Sequence, residues 1–125
     1  MLLELLLFLF AGIIAGTFTG LTPGIHINLI SAFVVSSTII LFSINPIFIV
    51  VFITAMAITH TFVDFIPSIF LGCPDTDTEL SVLPGHELLK KGQGYGAVIL
   101  TCYGSLAAIF LLILILFPSI FIISK

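Results

Sequence analysis

Long apolar runs separated by proline and glycine dominate the chain. No Asp, Glu, Lys or Arg occurs between residues 5 and 63, and a helix needs only ~20 apolar residues to cross the ~30 Å hydrocarbon core of a bilayer. Proline and glycine interrupt this stretch, because they break helices and favour turns. Together with a later apolar run, they delimit four hydrophobic segments: 2–19, 27–42, 47–65 and 95–117.

These runs predict helices rather than strands. A membrane β-barrel requires apolar and polar residues to alternate, whereas the runs here are apolar on every face. Within hydrocarbon a helix satisfies its own backbone hydrogen bonds. The expected fold class is therefore all-α, a polytopic integral membrane helical bundle with about four hydrophobic segments and Pro/Gly-broken helices. Pro46 is suited to the start of the third helix.

The composition supports a membrane protein and excludes several other classes. Of 125 residues, 60% are hydrophobic and 7% are charged, and the mean hydropathy is +1.41, against about 25% charged residues in soluble domains. A soluble enzyme is excluded, and a net charge of -3 with three lysines and no arginine excludes nucleic-acid binding. A cleaved signal peptide is disfavoured because Glu4 stands where basic residues are needed. The chain is expected in the cell membrane as a multi-pass protein surrounded by lipid.

Charged residues are concentrated in one polar loop. Six of the nine lie in the stretch 73–93, between the third and fourth segments. Lys90 and Lys91 favour a cytoplasmic position for this loop, since positive residues accumulate on that side. Within it we expect a short helical turn over residues 85–91 that begins at Gly85.

Two helix breaks, at 22–26 and 72–78, are candidates for a substrate site. Broken backbone at membrane depth persists only where protein buries it or water reaches it, and the freed N–H groups of a helix end suit a carboxylate. Paired Gly/Pro interruptions indicate the substrate site of a carrier. We expect 22–26 to lie at membrane depth, because no charged residue flanks it; the alternative is that each break is a surface turn. The candidates for substrate binding are Thr22, Pro23, Gly24, Pro74, Asp75 and Thr76.

His60 and Asp64 are candidates for ion coupling. They are four residues apart and so share one face of a helix, and ionisable groups inside a membrane segment usually indicate function. The pair could relay protons or bind a coupling cation, H⁺ or Na⁺; alternatively, Asp64 ends the helix near lipid headgroups with His60 as its partner. The cysteines and histidines lack metal-ligand spacing, so no metal site and no other cofactor is expected.

Three glycines, Gly12, Gly16 and Gly20, recur at every fourth position of the first segment. Such small-xxx-small spacing lets two membrane helices approach closely. We expect this glycine face to pack against another helix.

Three stretches in order resemble the large permease subunit of tripartite tricarboxylate transporters. Residues 16–25 are similar to that family's first signature, in which a glycine-spaced helix runs into a Leu-Pro-Gly break. Residues 67–76 resemble its apolar run into Asn-Ile-Pro-Gly-Thr, and residues 83–94 resemble its Leu-Asp-Gly-Tyr-Pro-Met-Ala-Lys-Lys-Gly-Gln-Ala. The resemblance covers the chain from about residue 10 to 105.

The resemblance implies a secondary carrier for organic anions such as di- and tricarboxylates. Such permeases use an ion gradient and work with a small membrane subunit and an extracytoplasmic solute-binding protein. The family's two Pro-Gly breaks correspond to Pro23-Gly24 and to Pro74-Asp75, where Asp replaces Gly. A carboxylate at that position repels an anion unless a cation lies between them.

Members of that family are several times longer than this chain. We therefore expect residues 1–125 to form one transmembrane domain, the N-terminal repeat of a longer permease, completed by the remaining half, a small subunit or a homo-oligomer. The alternative function is a non-transporting membrane subunit that packs against a larger partner through its glycine face. An enzyme is not expected, because no nucleophile or metal motif accompanies His60 and Asp64.

Overall fold

The described part of the chain is helical. The computed structural model describes residues 1–37, 44–73 and 78–123, and it contains six helices and no strand in those ranges. The helices are α1 (Leu2–Leu21), α2 (Ile27–Ser37), α3 (Pro46–Val63), α4 (Phe65–Leu71), α5 (Glu79–Lys90) and α6 (Gly94–Ile123). The predicted all-α fold class is confirmed.

Three stretches are long and apolar enough to cross a membrane: Leu2–Leu21, Pro46–Leu71 and Gly94–Ile120. The predicted segment 27–42 corresponds to the shorter helix α2, and its last residues lie outside the described ranges. α3 and α4 form one span with an interruption at Asp64. The expected multi-pass arrangement is therefore supported by three long helices and one shorter apolar helix.

The glycine face of α1 packs against α3, as predicted. A Cβ added at Gly12 would lie 2.5 Å from the carbonyl oxygen of Phe52, and one added at Gly16 would collide with the carbonyl oxygen of Met56. A Cβ added at Gly20 would lie 2.9 Å from the Cβ of Val63. Because later glycines on α1 meet later residues on α3, the two helices run parallel.

Aromatic stacking and a cap support the start of this helix pair. The rings of Phe8 and Phe48 stack with centroids 5.3 Å apart. The Asn45 side chain accepts a hydrogen bond from the Ile47 N–H at 3.1 Å, and Pro46 occupies the first helical position. Proline there has no N–H left unsatisfied and its fixed φ suits a helix. The predicted start of the third helix is confirmed.

Pro67 explains the interruption between α3 and α4. Proline cannot donate to the carbonyl four residues earlier, here that of Val63, and its ring pushes that carbonyl away. Ser68 restores the helical bonding after it, because its N–H and its hydroxyl both donate to the Asp64 carbonyl oxygen, at 3.3 and 2.8 Å. The third apolar segment, predicted over 47–65, therefore continues past Pro67 to Leu71.

The stretch 73–93 contains a longer helix than predicted. α5 runs over Glu79–Lys90, so the helix expected over 85–91 is confirmed for residues 85–90, but its expected start at Gly85 is wrong. Gly85 lies inside the helix and is buried against Ile69, and a Cβ there would come within 2.8 Å of the Ile69 Cγ1. This glycine permits close packing of α5 on α4 instead of starting a helix.

α6 carries the largest exposed apolar surface. None of its most apolar window is buried within the chain, and it passes through Pro118 rather than ending at residue 117 as predicted. Near its start, Gly94 packs on Phe70 and Leu89. Such a surface is compatible with hydrocarbon around the helix and not with water.

Candidate functional site

A polar cleft lies where α1 ends and where α3 meets α4. Its volume is about 10 Å³, room for about one water molecule. The lining residues come from the end of α1, the first break and the span from α3 to Cys73: Thr19, Gly20, Thr22, Pro23, Gly24, His60, Asp64, Pro67, Ser68 and Cys73. The helices are otherwise apolar, but this cleft brings together hydroxyl, imidazole and carboxylate side chains and the main chain of the first break.

The first break forms one wall of the cleft. α1 ends at Leu21, and the Thr22 hydroxyl donates back to the Phe18 carbonyl oxygen at 2.8 Å. Pro23 has no N–H to continue the helix. Gly24 has φ +84, a conformation that L side chains rarely adopt, and a Cβ there would meet nothing within 4 Å. The backbone at Gly24 is therefore open to close approach by a ligand.

The Thr19 hydroxyl and the His60 ring join α1 to α3 across the cleft. Thr19 Oγ1 lies 2.9 Å from His60 Nδ1, and both side chains are buried. The Thr19 hydroxyl also lies 3.1 Å from the Gly16 carbonyl oxygen and can donate to it. A bond donated to Gly16 leaves the Thr19 oxygen to accept from Nδ1–H, which fixes the plane of the ring.

Asp64 lies on the same face, one turn after His60. It is 6% exposed, and it is the residue at which α3 and α4 are interrupted. Ser68 follows one turn later and is 1% exposed. The three polar residues are spaced by four, so they form one stripe along a helix that faces the cleft.

Ser68 also connects the cleft to the start of α5. Its Oγ lies 2.8 Å from Thr78 Oγ1, and Thr78 is 1% exposed. Thr78 is the residue immediately before α5. The hydroxyl pair therefore holds the end of α4 against the beginning of α5, on either side of the second break.

All five predicted site residues that are described line this one cleft. Thr22, Pro23 and Gly24 line it together with the coupling candidates His60 and Asp64. The other three candidates, Pro74, Asp75 and Thr76, lie outside the described residues, although Cys73 just before them is in the lining. That 22–26 is a helix break is confirmed; its depth in a membrane and the roles of these residues stay predictions.

Sequence reasoning missed three residues of this region: Thr19, Ser68 and Thr78. Thr19 lies on the glycine face, three residues after Gly16, and that spacing was a usable signal. Ser68 continues the four-residue spacing from His60 and Asp64, so the spacing could also have predicted that Ser68 lies on the same helix face. Thr78 had no comparable signal, because its position depends on how α5 packs against α4. Among the described residues, no three His, Cys, Asp or Glu side chains come together.

The cleft is small for a complete ligand site. Its volume of about 10 Å³ has room for about one water molecule and is far below the ~300–1,000 Å³ of typical small-molecule pockets. The described residues therefore account for part of such a site.

Comparison with known proteins finds a matching family and a similar protein. The sequence profile of the tripartite tricarboxylate transporter TctA family matches residues 6–125. The chain is similar to Uncharacterized protein MJ1079 of Methanocaldococcus jannaschii, with 45% identity over 117 residues. This match covers 90% of the chain but 28% of that relative. No solved structure matches the chain at a significant level.

Proposed function

Because the chain belongs to the tripartite tricarboxylate transporter TctA family, we propose that it forms part of a secondary carrier for di- and tricarboxylates. The family consists of membrane transporters and not of enzymes, which agrees with the three long apolar helices.

The observation that carries the proposal is the polar cleft beside the first helix break. The open backbone at Gly24 faces a cleft that also contains Thr22 and a buried imidazole, His60. At this break Pro23 has no N–H, and the Thr22 hydroxyl and N–H are donated to the carbonyl oxygens of Phe18 and Thr19. The proposed donor to a carboxylate oxygen is therefore the Gly24 N–H, which adds no fixed charge. We propose that one carboxylate of the substrate binds here, and that Pro74, Asp75 and Thr76 of the second break also contact the substrate.

The remainder of the site would come from other parts of the transporter. The chain spans 28% of the length of its relative, and the cleft has less than the usual ligand volume. Carriers of this general kind place the substrate between two repeats. We propose that the remaining permease half completes the cleft, with a small membrane subunit and a solute-binding protein as further partners.

We propose that two residues of the stripe, His60 and Asp64, couple ion movement to substrate transport. Asp64 would repel a substrate anion at short range, so direct contact with substrate is unfavourable for it. A cation held near Asp64 changes that repulsion into attraction. The stripe would thereby link occupancy by a cation to binding of a carboxylate.

The alternative, a non-transporting subunit that docks through its glycine face, finds less support. That face is occupied by α3 of the same chain, since a Cβ at Gly12, Gly16 or Gly20 would contact α3 within 3 Å. It is therefore not available to a partner helix.

Protection of Cys73 from alkylation tests the proposed function. Cys73 is exposed and lines the cleft, so a bound carboxylate should block its access to a water-soluble maleimide. In the complete permease with Cys102 and all other cysteines replaced, a tricarboxylate at ten times its dissociation constant should slow labelling about tenfold. The matching triamide, which has no charge, serves as the control and should not protect. Labelling that is equally fast with and without each carboxylate would contradict substrate binding in this cleft.

A further inference from the structure

Four oxygen-bearing groups meet where α4 ends and α5 begins. The Ser68 Oγ lies 2.8 Å from Thr78 Oγ1 and 3.5 Å from the carbonyl oxygen of Cys73. The same Oγ donates to the carbonyl oxygen of Asp64 at 2.8 Å. Ser68 and Thr78 are each 1% exposed. Two hydroxyls, one from α4 and one from the residue before α5, are thus buried next to a main-chain carbonyl that belongs to no helix.

We propose that the Asp64 carboxylate, the Ser68 hydroxyl oxygen and the Cys73 carbonyl oxygen bind Na⁺, and that this is the coupling ion of the carrier. The inference rests on the carrier function proposed above and names its driving ion and site. Thr78 is a positioning residue, because it holds the Ser68 hydroxyl in place without lining the cleft.

The hydrogen bonds of the Ser68 hydroxyl and the Cys73 carbonyl leave both oxygens able to act as ligands. The single hydroxyl proton of Ser68 goes to its closer acceptor, the Asp64 carbonyl oxygen at 2.8 Å, rather than to the Cys73 carbonyl at 3.5 Å. Thr78 can donate to Ser68, which still leaves a lone pair on the Ser68 oxygen. The Cys73 carbonyl follows Gly72, whose φ of +66 ends α4, so that carbonyl lies outside the helical hydrogen-bond ladder.

Ligand type and spacing indicate the size of the ion. All three ligands are oxygens, which select hard cations over transition metals. In an octahedral shell, two neighbouring ligand oxygens are separated by √2 times the distance from the ion to each oxygen. The Ser68 Oγ and the Cys73 carbonyl oxygen are 3.5 Å apart, which corresponds to an ion–oxygen distance of about 2.5 Å. This falls in the ~2.3–2.6 Å range of oxygen-bound Ca²⁺, an ion with nearly the radius of Na⁺; K⁺ is larger.

Charge selects Na⁺ over Ca²⁺. Among the three proposed ligands, Asp64 is the only charged one. A single negative charge neutralises a monovalent cation, whereas a divalent one would retain a positive charge that is costly to bury. A bound Na⁺ would also remove the repulsion between Asp64 and a substrate carboxylate, so that each ligand favours binding of the other.

Thermal unfolding of the complete permease in detergent tests the site. At constant ionic strength, replacing K⁺ with Na⁺ should raise the melting temperature of the wild type in a saturable manner, as expected for a ligand of the native state. Ser68→Ala should raise the half-saturating Na⁺ concentration about tenfold or more, because it removes one ligand of a charged ion. Asp64→Asn, which keeps the shape of the side chain, should abolish the Na⁺ effect.

Thr61→Ala is the matched control. Thr61 also donates to a carbonyl one turn earlier, that of Ala57, but it is exposed and lies outside the cleft. This variant should keep the wild-type response to Na⁺. Equal stabilisation by K⁺ and Na⁺, or an unchanged Na⁺ response in Ser68→Ala, would overturn the proposed site.

Uptake into proteoliposomes separates failure of this inference from failure of the proposed function. Carboxylate uptake that does not depend on Na⁺ would overturn the Na⁺ site and leave the carrier function standing. Absence of carboxylate uptake by the folded wild type with every cation would overturn the carrier function itself, and with it the coupling role of the ion.

Discussion

Replacing Gly24 with leucine is expected to abolish carboxylate uptake while the permease still folds and inserts. The space around a Cβ at Gly24 is open, so the change does not disturb packing within the chain. It places a branched side chain over the backbone that we propose to contact the substrate. Displacing a ligand by about 1 Å can lower a rate roughly a hundredfold, and the leucine side chain is larger than that. Initial rates of labelled tricarboxylate uptake into proteoliposomes should fall by at least that factor.

Gly92→Leu controls for backbone strain. Gly92 has φ +75, and a Cβ there also meets nothing within 4 Å. It lies between α5 and α6 and does not line the cleft. Both substitutions force an L residue into the left-handed region, at a cost of about 1–2 kcal/mol. Gly92→Leu should therefore retain uptake. If the two variants transport alike, strain and not the cleft explains their behaviour, and Thr22–Gly24 are a structural turn.

Gly16→Leu should prevent formation of the folded chain. A Cβ at this position would collide with the Met56 carbonyl oxygen and lie 2.8 Å from the Thr59 Cβ. The α3 backbone cannot move aside as a flexible side chain can, so α1 must separate from it. Overpacking in a well-packed interior typically costs about 1–3 kcal/mol and sometimes more. The separation also breaks the bond between Thr19 and His60. We expect a broad, aggregated elution profile in detergent and a strongly lowered melting temperature.

Gly104→Leu is the control for this substitution. Gly104 is in the interior of α6, and a Cβ there meets nothing within 4 Å. Leucine has a better helix propensity than glycine by roughly 1 kcal/mol, so this variant should elute and melt like the wild type or better. A monodisperse Gly16→Leu protein with wild-type stability would show that α1 and α3 do not pack closely through the glycine face.

The sequence predicted the parts of the fold that depend on local chemistry. Glycines four residues apart predicted the contact face of α1, and Asn45-Pro46 predicted the start of α3, because both signals act within one or two turns. The break at 22–26 followed from proline and glycine in the same way. His60 and Asp64 could be assigned to one face because helical periodicity alone decides it.

The remaining features depend on contacts between distant residues. Gly85 is consistent locally with a helix start, but its close packing on Ile69 places it inside α5. The third segment was predicted to end at residue 65, before Pro67, but the bonds of Ser68 to the Asp64 carbonyl continue the span beyond this proline. The pairing of Ser68 with Thr78 could not be predicted, since it requires knowing how α5 folds back on α4.

Uptake of labelled di- and tricarboxylates by proteoliposomes that contain the complete permease tests the central claim most directly. The account predicts saturable uptake that is driven by an ion gradient, is inhibited by unlabelled carboxylates and is lost in Gly24→Leu but not in Gly92→Leu. A folded, correctly inserted wild-type permease that accumulates no carboxylate under any ion gradient, with its solute-binding protein and small subunit present, would contradict it.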